Sequence, residues 1–166
     1  MSSCFIPDSF FPAEIAGFAA RRVPASWAGR LADFDRRVFG PDAWPEAVWA
    51  QELAAQSRTY IVLEAEPEPM RSFGEIVGVG GVSYFDDAEI LTLAVAPQFQ
   101  RQGIGQRLLA ALLDIAETRG VNRVFLEVRS KATHVQNMYR AAGFSPIAVR
   151  KRYYSDDDAV VMLRET

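Results

Sequence analysis

Apolar residues run together or alternate through most of residues 58–96, and from Gly103 onward they recur at helical spacing. Ile104, Leu108, Leu112 and Ile115 form one stripe, widened by Leu109 and Ala116. Gln106, Arg107, Asp114, Glu117 and Arg119 fall on the other side. That is the pattern of an amphipathic helix, and Gly120 is placed to stop it. Earlier in the chain Trp27, Leu31, Phe34 and Val38 predict a helix with Ser26 as its N-cap and Gly40-Pro41 as its end. WPEAVWAQELAAQ predicts a second, with Pro45 in its first turn and Val48, Trp49 and Leu53 on one side. THVQNMYRAA predicts a short fourth helix ending at Gly143.

Period-two and continuous apolar runs predict the strands. RTYIVLEAE (58–66) and EIVGVGGVSYF (75–85) flank an exposed loop, the second run loosened by Gly78, Gly80 and Gly81. AEILTLAVA (88–96) is apolar on both faces, as a central strand covered on both sides should be. NRVFLEVR (122–129) sets Val124, Leu126 and Val128 against Phe125 and Glu127. PIAVRKRYY and AVVMLRE predict a hairpin around SDDD. The order is ααβββαβαββ, with room for another strand near Ala19–Val23. It implies a mixed α/β domain, one large sheet with helices on both faces. Residues 1–18, interrupted by Pro7 and Pro12, stand apart as an N-terminal extension to a domain spanning 19–166.

Composition narrows the setting. A chain of 166 residues suits one domain with a real core. It has no run of 18 apolar residues and no basic, apolar leader at its N-terminus, so neither a membrane span nor a secretory signal is expected. Cys4 is the single cysteine, which excludes an intrachain disulfide and fits a reducing cytoplasm. Eighteen basic against 21 acidic residues give a net charge of −3, which argues against nucleic acid as the main partner. His134, the only histidine, has no Cys, Asp or Glu at ligand spacing, so no metal is expected. Cys4 has no nearby His to activate it as a nucleophile.

The candidate chemistry lies at the junction PQFQRQGIGQR, residues 97–107, where a strand hands over to a helix. A helix N-terminus offers about four unpaired N–H groups and roughly half a positive charge. Glycine lets the preceding loop turn those groups onto an anion. Gly103 and Gly105 bracket the first turn, with Arg101 and Arg107 at the rim, which suits a pyrophosphate. The plain alternative is a turn that needs glycine only for its geometry. A dinucleotide fingerprint would need glycine at Leu108, and no P-loop GK-Ser/Thr triplet occurs.

Gln100-Arg101-Gln102-Gly103-Ile104-Gly105 resembles the Q/R-x-x-G-x-G/A acetyl-CoA loop of the GNAT N-acetyltransferases. The wider set LTLAVAPQFQRQGIGQRLL, LEVR, NMYRAAGF, RKRYY and AVVML is similar to one branch, the ribosomal-protein alanine N-acetyltransferases of RimI type. The likeness is good over about residues 75–165 and weak over FGPDAWPEAVWAQEL, which in that family helps to shape the substrate cleft. It implies a GNAT fold, with a single mixed and mostly antiparallel sheet splayed between its central strands, 88–96 and 122–129. It implies that Leu93, Ala94 and Val95 hold the pantetheine arm and acetyl group. Gln100, Arg101, Gln102, Gly103, Ile104, Gly105 and Gln106 would then surround the pyrophosphate.

The same resemblance implies direct attack of an amine on the thioester of acetyl-CoA, with Glu127 as base and Tyr139 as acid. A phenol of pKa near 10 can protonate a thiolate of pKa about 8.5 when the two are aligned. Read without the resemblance, Glu127 is a charged residue near a strand end and Tyr139 a packing aromatic. The acceptor implied is a protein N-terminus, in particular an N-terminal alanine of a ribosomal protein. Lysine or a small amine, or a CoA-binding module without turnover, are the alternatives. One departure stands out: where the family often has V-R-x-S-N, this chain has VRSKATHVQ. The cap and CoA contact of the missing asparagine would be absent or would pass to Thr133. Arg150, Lys151 and Arg152 read as a solvated strand end balanced by Asp156, Asp157 and Asp158.

Overall fold

Strand pairing in the computed structural model, which describes residues 6–166, joins every sheet element into one eight-stranded sheet. The strands are β1 (Glu14–Ile15), β2 (Phe18–Arg22), β3 (Arg58–Glu64), β4 (Ile76–Tyr84), β5 (Ala88–Val95), β6 (Arg123–Arg129), β7 (Ser145–Arg150) and β8 (Ala159–Glu165). Their order across the sheet is β1-β2-β3-β4-β5-β6-β8-β7. Every neighbouring pair is antiparallel except β5 and β6. The sheet is mixed and mostly antiparallel, as the resemblance implied. The strand expected near Ala19–Val23 is β2. The hairpin β1–β2 carries the sheet outward from β3, and Ile6 and Ile15 are buried in the same core as the central strands.

Helices α1 (Ala28–Phe39) and α2 (Glu46–Ala54) cover one face, and α3 (Ile104–Thr118) with α4 (Thr133–Ala141) covers the other. On the α3 face Ile104, Leu108, Leu112 and Ile115 meet Ile61 and Leu63 of β3. On the opposite face Leu31, Phe34 and Trp49 meet Tyr60, Val62 and Val79. Glycines in β4 permit the close approach on both sides. A Cβ at Gly80 would lie 2.9 Å from Leu112, and one at Gly81 would lie 2.2 Å from the Tyr60 ring.

Two expected caps are corrected. A 3₁₀ turn, Ala25–Trp27, runs directly into α1, so Trp27 occupies the N-cap position and Ser26 lies inside the turn. Ala132 occupies the N-cap position of α4, and Thr133 is its first helical residue. The strand expected over 146–154 stops at Arg150, and Tyr153 and Tyr154 belong to the following loop. Cys4 lies outside the described residues. No helix among the described residues is long and apolar enough to cross a membrane.

Candidate active site

The site begins as a failure of strand pairing. β5 and β6 run parallel and pair only from Ala88–Ile90 against Val124–Leu126. Beyond that point the two strands part, as the resemblance implied. On its other side β5 carries a bulge: Val82 pairs with Ile90 and Gly81 with Thr92, leaving Leu91 as the extra residue. A bulge shifts the alternation of side chains by one. Ala88 and Ile90 therefore face α3 before it, and Leu93 and Val95 face α3 after it. This is why the run looked apolar on both faces.

A cleft of about 770 Å³ passes through the opening. Its walls include Leu91–Val95 of β5 and Leu126–Arg129 of β6. Leu93, Ala94 and Val95 all border it, and so do Gln100, Arg101, Gly103, Ile104, Gly105 and Gln106. Gln102 and Arg107 do not. Gly103 adopts φ +78° immediately before α3, and Arg101, two residues earlier, has φ +66°, a left-handed conformation that is unusual for a side chain of this kind. No side chain caps α3, and its first backbone bond to the preceding turn runs from the Arg107 N–H to the Gly103 carbonyl. The N–H groups of Ile104, Gly105 and Gln106 are thus presented at the cleft. Gln100 folds back to donate to the Val95 carbonyl at 2.9 Å, closing the loop.

Glu127 and Tyr139 border the same cleft. Leu126 and Val128 of β6 point into the α3 core, so Glu127 between them faces the α1–α2 side. Its side chain is only 14% exposed and its Oε1 is 3.0 Å from Arg150 Nε. Tyr153 donates a hydrogen bond to the same carboxylate, and that bond, with burial, pushes its phenol up to about 12. Arg150, although 60% exposed, thus pairs with Glu127 rather than with the Asp156–Asp158 run, whereas Lys151 does pair with Asp158, at 3.1 Å. Tyr139 lies on the α3–α4 side, 6% exposed, edge-on to Phe144 with ring centroids 5.8 Å apart. Burial, and to a lesser degree the nearby Tyr154, raise its pKa above the ordinary phenol value. His134 is exposed at the α4 rim of the cleft.

The α1–α2 side supplies residues that the sequence reading did not single out. Asp35 of α1 is 2% exposed and borders the cleft. Its Oδ2 accepts hydrogen bonds from the Trp44 N–H and Trp49 Nε1, both at 3.2 Å, while its Oδ1 is buried without a hydrogen-bond partner. Burial pushes the Asp35 carboxyl up to about 6, although both of those bonds oppose the shift. Arg129, two residues beyond Glu127, forms ion pairs with Asp42 after α1 and with Asp156 in the β7–β8 loop. Its guanidinium lies 4.6 Å from the centre of the Tyr154 ring. The Ser155 N–H adds a hydrogen bond to Asp42 Oδ1 at 3.0 Å. In the loop after β6, Gln136, buried in α4, donates to the carbonyls of both Arg129 and Ser130 at 2.9 Å.

A family model described as the Acetyltransferase (GNAT) family matches residues 29–144. The chain is 37% identical over 147 residues to N-alpha-acetyltransferase RimI of Mycobacterium tuberculosis, spanning 84% of this chain and 87% of that protein. It is 38% identical over 81 residues to the ribosomal protein bS18-alanine N-acetyltransferase of Escherichia coli, spanning 46% of this chain and 55% of that enzyme. The crystal structure of the ribosomal-protein-S18-alanine N-acetyltransferase from Escherichia coli superposes with a TM-score of 0.76 at 25% identity, covering 89% of this chain and 92% of that one. On these matches the chain belongs to the GNAT family, as an acetyl-CoA-dependent N-acetyltransferase and a homologue of RimI.

Proposed function

We propose that this enzyme acts in the cytoplasm, transferring the acetyl group of acetyl-CoA to the α-amino group of a protein N-terminus, with an N-terminal alanine of a ribosomal protein as the acceptor. The observation that carries this reading is one cleft through the sheet that is bordered both by Tyr139, on the α3–α4 side, and by Glu127, on the α1–α2 side. Two substrates entering from opposite faces would meet between the parted strands. The names of the relatives, which acetylate α-amino groups and the alanine of bS18, support the choice of acceptor.

In this reading the N–H groups at the start of α3 and the charge of Arg101 take the pyrophosphate, and Gly103 aims them. The unpaired edge of β5 at Leu93, Ala94 and Val95 takes the pantetheine arm. Glu127, held in place by Arg150 and Tyr153, removes a proton from the acceptor amine directly or through a water. The amine nitrogen attacks the thioester carbon, the C–S bond breaks, and Tyr139 gives its phenolic proton to the departing sulfur. Burial that raises the tyrosine's pKa also disfavours a thiolate in the same apolar surroundings, so the transfer is not uphill as far as the isolated values suggest. An α-amine of pKa about 8 has a usable neutral fraction at pH 7, whereas lysine, near 10.4, has almost none.

The test is release of CoA thiol from acetyl-CoA with two peptides. One carries a free N-terminal alanine; the other has a blocked terminus and an internal lysine. Release with the first alone is expected. Release with the second alone would replace the N-terminal reading with lysine acetylation.

A further inference from the structure

Asp35 borders the cleft with one carboxylate oxygen left without a partner. Its residue is almost fully buried, yet Oδ1 has no hydrogen-bond partner and no Lys or Arg among the described residues forms an ion pair with it. A buried carboxylate in that condition is costly, and native structures rarely keep one without a reason. The apolar surroundings supplied by Trp49, Phe34 and Leu31 deepen the cost. The two bonds to Oδ2, at 3.2 Å each, are at the long end of the normal range, and the terminal torsion of aspartate is soft, so the carboxylate can turn at little expense.

We propose that Asp35 is a second carboxylate of the acceptor subsite, whose Oδ1 receives a hydrogen bond from the acceptor's α-ammonium group and positions it for proton removal by Glu127. An ammonium group supplies what the site lacks: a donor for Oδ1 and a positive charge to offset the buried negative one. The inference rests on the N-terminal acceptor reading above and extends it to product release. Acetylation converts the ammonium into a neutral amide with a single N–H. The product then no longer offsets the charge of Asp35, and its hold on the subsite weakens at the moment of transfer. The raised carboxyl pKa fits a group that awaits a cation.

The experiment compares binding of an alanine-initiated peptide and its N-acetylated form to the enzyme with CoA bound, followed by fluorescence. Trp44 and Trp49, both bonded to Asp35, are the reporters. The wild type is expected to bind the free-terminus peptide roughly tenfold or more tightly than the acetylated one, the discrimination expected of a buried charge pair. Asp35→Asn should lose most of that preference while binding CoA as the wild type does; a wild-type ratio in the variant overturns the proposal. Should the variant fail to fold, the wild type provides the test. Free-terminus peptide should move the fluorescence titration of Asp35 downward by about one pH unit or more, as an opposite charge at close range does. The acetylated peptide should not, and an unmoved midpoint overturns the proposal. If the wild type releases CoA with neither alanine peptide but with another amine, the N-terminal reading has failed. The same comparison, made with that amine and its acetylated form, then decides the role of Asp35 separately.

Discussion

A buried tyrosine hydroxyl ordinarily finds a hydrogen-bond partner, because leaving it unpaired costs free energy. The Tyr139 hydroxyl bonds no other described residue, although the side chain is almost fully buried. Removing it therefore takes little from the fold. Tyr139→Phe is expected to lower kcat by about a hundredfold or more, the usual scale for a general acid. Affinity for CoA and the melting temperature should stay close to wild type. Unchanged turnover, measured under saturating acetyl-CoA, would return Tyr139 to the role of a packing aromatic. Glu127 and Tyr139 could be found in the chain because each sits inside a recognisable run, LEVR and NMYRAAGF. Asp35 had a subtler signal. It lies four residues after Leu31 and next to Phe34, on the apolar stripe of its helix. A carboxylate on such a stripe points to a special environment. Arg150 had no comparable signal, since its contact with Glu127 spans β8 and depends on the strand order.

At the scale of elements, Arg129 ties two segments that are far apart in the chain. One ion pair reaches Asp42 between α1 and α2, and the other reaches Asp156 in the β7–β8 loop. Asp42, Arg129 and Tyr154 all border the cleft, so the clamp shapes the side on which the proposed acceptor would lie. Arg129→Met should release both segments. The expected result is a rise of roughly tenfold in KM for the acceptor peptide, about 1.4 kcal/mol of lost positioning. KM for acetyl-CoA should change little, because the α3 junction lies on the opposite side of the sheet. Steady-state kinetics with each substrate varied in turn checks the split, and equal effects on both would deny the clamp its acceptor role. Helices and strands were legible from periodicity because burial imposes it. The caps were not: a 3₁₀ turn runs straight into α1 where Ser26 was expected to cap it, and Ala132 rather than Thr133 holds the N-cap position of α4. A bulge such as that at Leu91 leaves no mark in sequence beyond a strand with two apolar faces.

For the whole molecule, the core is split by the sheet into two layers, and Asp35 sits in the α1–α2 layer near Trp49 and Phe34. Its carboxyl is raised by burial from 3.8 to about 6. Between those values the folded protein keeps a proton that the unfolded chain has released. Its contribution to stability is therefore greatest at low pH, falls as pH rises through about 4 to 6, and is flat above that window. Urea unfolding of wild type and Asp35→Asn across this range should show the wild type losing stability relative to the variant as pH rises to 6. A difference that does not vary with pH would mean that the carboxyl titrates normally. The open seam between β5 and β6 has one more consequence, in the order of events. A cleft lined from both faces of the sheet would, in the proposed reading, let both reactants be present together, so that acetyl transfer would need no acyl-enzyme to carry the group between half-reactions. After transfer, the acetylated acceptor and the spent thiol would then depart through separate doors, and neither would have to wait for the other.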